Sequence, residues 1–238
     1  MNKLIIPNAI TLLNILSGTL AIYFALTTDK LYIAGLLVLL ASLFDFFDGF
    51  VARLLNAQSE FGKQMDSLAD LISFGLAPTF IMLSLISNHT NNNFLPFLSF
   101  FIISFSAIRL AIFNITDQKT EFQGLATPAF AILVASLAIS FHFPDTLLNI
   151  ETYSFFNNIY SLLSITIVFS ILLVTNIPMF SFKFKNFSFS KNKTRYTFII
   201  LSIILIAMLY WSAIPFIITI YILFSLIKNN SITNTNSN

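Results

Sequence analysis

Long apolar runs separated by short polar breaks fill almost the whole chain, and a helical membrane crossing needs about 20 such residues. Eight segments reach or approach that length: 9–27, 31–55, 62–86, 94–114, 128–143, 155–175, 196–210 and 214–227. Pro7-Asn8 suits the start of the first helix. Inside that helix Thr11, Asn14, Ser17 and Gly18 recur at helical spacing, so a polar stripe faces a neighbouring helix or a site rather than lipid. The polar break at 87–93 reads as a loop with His89 as a solvated histidine. The last two segments are short and pair as a hairpin about Trp211-Ser-Ala-Ile-Pro215. The Asn/Ser/Thr-rich end from Asn229 reads as a disordered tail. The pattern therefore predicts an all-α, polytopic membrane helix bundle with eight spans. Its parts are a core at 1–176, a basic loop with the hairpin at 177–228, and the tail at 229–238.

Composition sharpens this picture. The chain is 57% hydrophobic and 9% charged, with a mean hydropathy of +0.86. Soluble domains carry about 25% charged residues, so the protein is expected to be integral to a membrane. There is no cysteine, which excludes disulfides and thiolate chemistry. The first segment follows a single Lys3 and no small-residue cleavage site, so no signal peptide is expected. A net charge of +2 is too small to point to nucleic acid. The placement of the charges says more. With the N-terminus inside and eight spans, 11 of the 12 Lys and Arg residues fall at cytoplasmic ends, and only Lys30 lies outside. Lys183, Lys185, Lys191, Lys193 and Arg195, interleaved with aromatics, suit anionic lipid headgroups rather than nucleic acid.

One stretch breaks the apolar pattern. Asp45-Phe-Phe-Asp48-Gly49-Phe-Val-Ala52-Arg53 is followed, after eight residues, by Gly62-Lys-Gln-Met-Asp66-Ser-Leu-Ala-Asp70. A charge at membrane depth costs roughly 2.5–3.5 kcal/mol on insertion scales, so four carboxylates there mark a functional site. Spacings of three and four place Asp45 with Asp48, and Asp66 with Asp70, on one face of each helix. On adjacent antiparallel helices the two pairs come to matching depth. Four like charges so close do not all stay ionised unaided. All-oxygen ligands of this kind call for Mg²⁺, Mn²⁺ or Ca²⁺. Arg53 suits bidentate phosphate recognition. Gly49, Ala52 and Gly62 leave room either for a ligand or for close helix approach. A transporter or channel with an acidic ion site is the alternative. It requires polar residues continuing to the far face, which the second and third segments almost lack.

The string Asp-x₂-Asp-Gly-x₂-Ala-Arg-x₈-Gly-x₃-Asp-x₃-Asp, complete from Asp45 to Asp70, resembles the signature of the CDP-alcohol phosphotransferase family. The resemblance implies a six-helix core over about 5–176, with the hairpin as an addition. It implies a two-metal centre of Mg²⁺ or Mn²⁺ held by Asp45, Asp48 and Asp66 with Asp70 beside it, and Asp70 as general base. It implies that Gly49, Ala52, Arg53 and Gly62 line the pocket for the CDP-linked lipid. Asp66-Ser-Leu-Ala-Asp-Leu-Ile-Ser-Phe-Gly-Leu-Ala-Pro78 is similar to the phosphatidylserine synthase branch. This implies transfer of a phosphatidyl group from CDP-diacylglycerol to L-serine, with release of CMP. Asn8, Ser73, Arg109 and Asn114 are then candidates for the acceptor site. Glycerol phosphate or inositol phosphate is the alternative acceptor, and a homodimer is left open. Two positions depart from the branch's pattern: Ile112 stands where arginine is expected, and Ala126 where proline is expected.

The charge asymmetry makes a direct prediction of topology. Reporter fusions after Lys185 and after Asn229 should both report the cytoplasm, and a fusion after Glu151 the outside. An external signal after Lys185 breaks the eight-span reading.

Overall fold

The computed structural model describes residues 3–116, 123–143, 154–179 and 192–236. Helix α1 (Ile5–Thr27) starts four residues before the apolar run. Pro7 is tolerated there because the first turn has no use for its missing N–H. The turn at 28–30 returns the chain antiparallel as α2 (Leu31–Leu54). α3 (Glu60–Asp70) continues through a π-helical segment (Leu71–Leu76) into α4 (Ala77–Ser87), one unbroken helical run. The sequence reading expects a regular helix here. Pro78 cannot donate to the carbonyl four residues back, and its ring crowds that carbonyl. The wider turn relieves both, and Ala77 N–H bonds to the Ile72 carbonyl, five residues back.

A short 3₁₀ turn (Leu95–Ser99) leads into α5 (Phe100–Ile115). α6 (Thr127–Ser140) and α7 (Ile159–Leu173) have 14 and 15 residues, about 21–23 Å at 1.5 Å per residue. Both are shorter than the apolar runs that predict them: α6 stops at Ser140, three residues early, and α7 starts at Ile159, four residues late. Pro128 opens α6, and the Asn158 side chain accepts from Tyr160 N–H to cap α7. α8 (Lys193–Leu209) and α9 (Ala213–Asn236) are joined by a 3₁₀ turn (Tyr210–Ser212). The Phe198 ring lies 6.0 Å from Tyr221 and 6.2 Å from Phe224, so α9 runs back along α8 as the expected hairpin. α9 continues as helix to Asn236, where composition suggests a disordered tail. Once an anchored apolar helix is nucleated, each further residue adds a hydrogen bond at low cost. Lys183, Lys185, Lys191 and Glu151 lie outside the described residues.

The packing centre is α6. Phe130, Leu133, Val134, Leu137 and Ile139 are all buried, and a helix that is apolar all round is one surrounded by others. Ile5–Thr27, Leu31–Leu54, Glu60–Ser87 and Leu95–Ile115 are each long and apolar enough to cross a membrane, as is the apolar length Arg195–Ile227 that the hairpin folds back on itself. The protein is an integral membrane protein. Large residues such as Leu16, Phe46, Phe50 and Ile204 are exposed on its outer faces, as a lipid-facing surface requires. His89 is not a free loop residue. Its Nδ1 lies 2.7 Å from the Leu85 carbonyl and its Nε2 lies 2.6 Å from Asn157 Oδ1, so it ties the end of α4 to the start of α7. The loop is short enough for the ring to fold back onto the helix it leaves.

Small residues set how closely α1 meets its neighbours. A Cβ on Gly18 would stand 2.7 Å from the Ser73 Cα, inside the π segment, so the two backbones touch. Gly18→Val should therefore lower the stability of the purified protein by about 1–3 kcal/mol, the usual cost of overpacking. Thermal unfolding in detergent measures this, and an unchanged melting temperature counts against the contact.

Candidate functional site

The turn between α2 and α3 fixes the geometry of the acidic motif. Asn56 sits in the left-handed region (φ 48°). Ala57 N–H bonds to the Ala52 carbonyl and Asn56 N–H to the Arg53 carbonyl, so α2 closes in a Schellman motif. Three residues after Asn56, Ser59 caps α3 by accepting from Gly62 N–H at 3.0 Å. These two devices account for the eight-residue spacing between Arg53 and Gly62. They return the chain at once, so that Asp66 and Asp70 ascend beside Asp48 and Asp45.

Carboxylate oxygens of Asp45, Asp48 and Asp66 lie within 4.8 Å of one another. Asp70, one turn deeper than Asp66, comes within hydrogen-bonding reach of Asp45. Asp48 is 5% exposed and is fixed by α1, whose Thr11 hydroxyl donates to its Oδ2 at 2.7 Å. Oδ1 of Asp66 and Oδ1 of Asp70 are buried and have no hydrogen-bond partner among the described residues. Orphaned, buried carboxylate oxygens converging at this spacing are what a divalent cation satisfies. The donor set is all oxygen and fits a hard cation such as Mg²⁺ or Mn²⁺. The cluster could hold a metal.

Above the aspartates opens a cavity of about 550 Å³. Its walls come from the start of α1 (Asn8, Thr11), the end of α2 (Asp48, Gly49, Ala52, Arg53), the turn (Ala57, Gln58, Ser59) and the start of α3 (Gly62, Lys63, Asp66). The structure thus brings together four groups expected from sequence at one pocket: Gly49, Ala52, Arg53 and Gly62, with Asn8 opposite them. The two glycines differ. A Cβ at Gly49 meets only Arg53 Nη1, at 3.9 Å, so its missing side chain is open ligand space. A Cβ at Gly62 would lie 3.2 Å from Ser59 Oγ and 3.7 Å from Asn8 Oδ1, so this glycine fits the cap closely.

The other sequence candidates divide. Arg109, on α5, is partly buried near Asp70, and its Nε has no partner among the described residues. Asn114 exchanges hydrogen bonds with Ser67 (2.9 and 3.1 Å), which joins the end of α5 to α3. Ser73 is fully buried, and its hydroxyl donates to the Asn14 carbonyl at 3.0 Å. It is a helix-packing residue and not a pocket residue, because the π segment turns it towards α1. Ile112 is 48% exposed on the outer face of α5, one turn beyond Arg109, so the departure there removes no charge from the cluster. Ala126 precedes α6 at φ −66°, a backbone that proline would also hold. Lys63, like Gln58, Ser59 and Glu60, is a pocket residue to which the sequence gives no role in advance. It reaches the Asn114 carbonyl at 3.4 Å, and its position next to Gly62 was the available signal.

The CDP-alcohol phosphatidyltransferase family model matches residues 4–169. A CDP-diacylglycerol–serine O-phosphatidyltransferase of Helicobacter pylori is 34% identical over 183 residues, covering 74% of this chain and 72% of that protein. The Saccharomyces cerevisiae protein of the same name is 40% identical over 154 residues, covering 58% of this chain and 55% of that protein. The Bacillus subtilis protein, also so named, is 36% identical over 142 residues, covering 58% and 77%.

If the carboxylates lack a cation, adding one should stabilise the fold by mass action. Mn²⁺ or Mg²⁺ should raise the melting temperature of EDTA-stripped protein, and Asp48→Asn should blunt that rise. A melting temperature indifferent to both metals removes the centre.

Proposed function

The protein belongs to the CDP-alcohol phosphatidyltransferase family, and we propose that it transfers the phosphatidyl group of CDP-diacylglycerol to the hydroxyl of L-serine, releasing CMP. The observation that carries this reading is the juxtaposition of the aspartate cluster, an open pocket edged by Arg53 and Lys63, and Arg109 beside Asp70. The relatives named as serine transferases support the choice of acceptor.

The pocket suits a nucleotide diphosphate. Arg53 and Lys63 offer cationic donors at its mouth, and Gly49 leaves space against the wall of α2. Two divalent cations, Mg²⁺ or Mn²⁺, bound by Asp45, Asp48 and Asp66 would neutralise charge on the diphosphate oxygens. Thr11 holds the Asp48 carboxylate in one orientation, so the pocket is organised before the lipid arrives. The acyl chains remain in the bilayer, beside the exposed apolar face of α2 (Phe46, Phe47 and Phe50).

Asp70 lies one turn deeper than Asp66 and acts as general base. It takes the proton of the serine hydroxyl as that oxygen bonds to the phosphorus bearing diacylglycerol. The bond from this phosphorus to the bridging oxygen breaks, and CMP leaves with that oxygen. An alcohol is a weak nucleophile, and a positioned base is worth typically 10²–10⁴-fold. Arg109 recognises the acceptor's carboxylate with the guanidinium edge left unpartnered beside Asp70. An uncharged alcohol has no group to meet that cation, and among anionic acceptors the relatives named as serine transferases favour the amino acid. The site faces the cytoplasm, where serine is available.

Asp70→Asn should lower turnover by about 10²-fold or more while CDP-diacylglycerol binding stays nearly intact. Asp48→Asn should weaken both metal and CDP-lipid binding. The measurement is serine-dependent CMP release beside lipid binding, at several Mn²⁺ concentrations. Rescue of Asp70→Asn, but not Asp48→Asn, by excess Mn²⁺ reverses the two roles. Equal rescue of both makes all four aspartates metal residues and places the base elsewhere.

A further inference from the structure

Asn14 is fully buried, and neither its Nδ2 nor its Oδ1 has a hydrogen-bond partner among the described residues. Buried amides are nearly always satisfied, so this one needs an account. Its position supplies it. Thr11 and Asn14 are three residues apart on one face of α1, and Thr11 is bonded to Asp48. α2 runs antiparallel, and Asp45 lies three residues deeper than Asp48. A rise of about 1.5 Å per residue therefore brings Asn14 level with Asp45. On the other side, Ser73, three residues beyond Asp70, donates to the Asn14 carbonyl. Asn14 is thus held between the two acidic helices. Side chains of a helix lean towards its N-terminus, which here is the end that carries Thr11 and the pocket. That lean runs towards the aspartates.

Apart from Arg109 Nε, to which the acceptor is assigned above, the buried atoms on α1 and α3 left without a partner among the described residues are Asn14 Oδ1 and Nδ2, Asp66 Oδ1 and Asp70 Oδ1. Three of the four are oxygens that accept and cannot donate while the carboxylates are ionised. A second amide or hydroxyl satisfies one of them. A hard cation satisfies several at once, and carbonyl oxygen is a usual ligand for one. We propose that Asn14 Oδ1 is an additional, uncharged oxygen ligand on the α1 side of the divalent cation site formed by the aspartates. The inference rests on the metal-site part of the proposed function. A neutral ligand suits this place, since a fifth carboxylate would add repulsion whenever the cation is absent.

The test is a Mn²⁺ titration of EDTA-stripped protein in detergent, read as the Mn²⁺ concentration that gives half of the rise in melting temperature. No substrate is present. Asn14→Leu, close in volume, should need about tenfold more Mn²⁺, the usual scale for losing a supporting ligand. In EDTA it should melt no lower than wild type, because an unpaired amide has been replaced by an apolar group. Asn14→Asp should do the opposite, with about tenfold less Mn²⁺ required and a lower melting temperature in EDTA. Unchanged midpoints in both variants overturn the proposal, as does a raised midpoint for Asn14→Asp. A change confined to the KM for serine also overturns it and makes Asn14 an acceptor contact. If Asn14→Leu does not fold, the sign of the Asn14→Asp shift decides alone. Serine-dependent CMP release by the wild type is measured separately, so a failure of the acceptor reading leaves this result standing.

Discussion

Four carboxylates inside an apolar bundle repel one another, and that repulsion is the constraint to which the rest of the structure answers. In water the interaction at 4 Å is about 1 kcal/mol per pair, and at an effective dielectric constant near 20 it rises to about 4 kcal/mol. Among the described residues no lysine or arginine stands between the aspartates to relieve it. Arg53 and Lys63 stand at the pocket rim, and Arg109 lies to one side of Asp70. What remains between the carboxylates is a shape that accepts positive charge from outside the chain. The fold therefore stores an unfavourable interaction where a ligand can relieve it, and part of the ligand's affinity is that relief.

Holding like charges together requires stiff surroundings. Hydrogen bonds and close backbone approach supply the stiffness here. Thr11 pins Asp48 from α1, Ser73 pins α1 from the π segment, and Gly18 lets those two backbones meet. At the pocket end the Schellman motif and the Ser59 cap fix the turn, so that neither acidic helix can slide against the other. On the far side α6 provides an apolar wall, with the Ala135 carbonyl 2.6 Å from where a Cβ on Gly35 would stand. Function sits at the periphery of this packing, and α6 is its centre.

Much of this was legible in the sequence, for physical reasons. Charge is so costly at membrane depth that Asp45, Asp48, Asp66 and Asp70 could not be incidental, and helical spacing alone pairs them. The polar stripe Thr11, Asn14, Ser17 and Gly18 stands out because lipid tolerates no such stripe, and all four residues are buried. What was not legible depends on contacts between distant residues. Nothing local to Ser73 says that a π segment turns it towards α1 and out of the pocket. His89 looks like a solvated loop residue until Asn157 is brought to its Nε2. The late start of α7 follows from the Asn158 cap, which hydrophobicity does not reveal. The continuation of α9 to Asn236 reflects its anchored apolar half more than the polar residues themselves.

The π segment after Asp70 has a consequence for how this span can vary. A regular helix couples every residue to every other by a fixed rotation of 100°, so the face that carries the aspartates would dictate the face that α4 turns to its neighbours. A widened turn absorbs that rotation. The half from Glu60 to Asp70 and the half from Ala77 to Ser87 then hold separate registers along one axis. Sequence change in the outer half can follow the demands of packing, while the inner half follows those of chemistry. Loss of one residue between Leu71 and Leu76 would abolish that independence. It would rotate one half against the other even though none of the four aspartates had been altered.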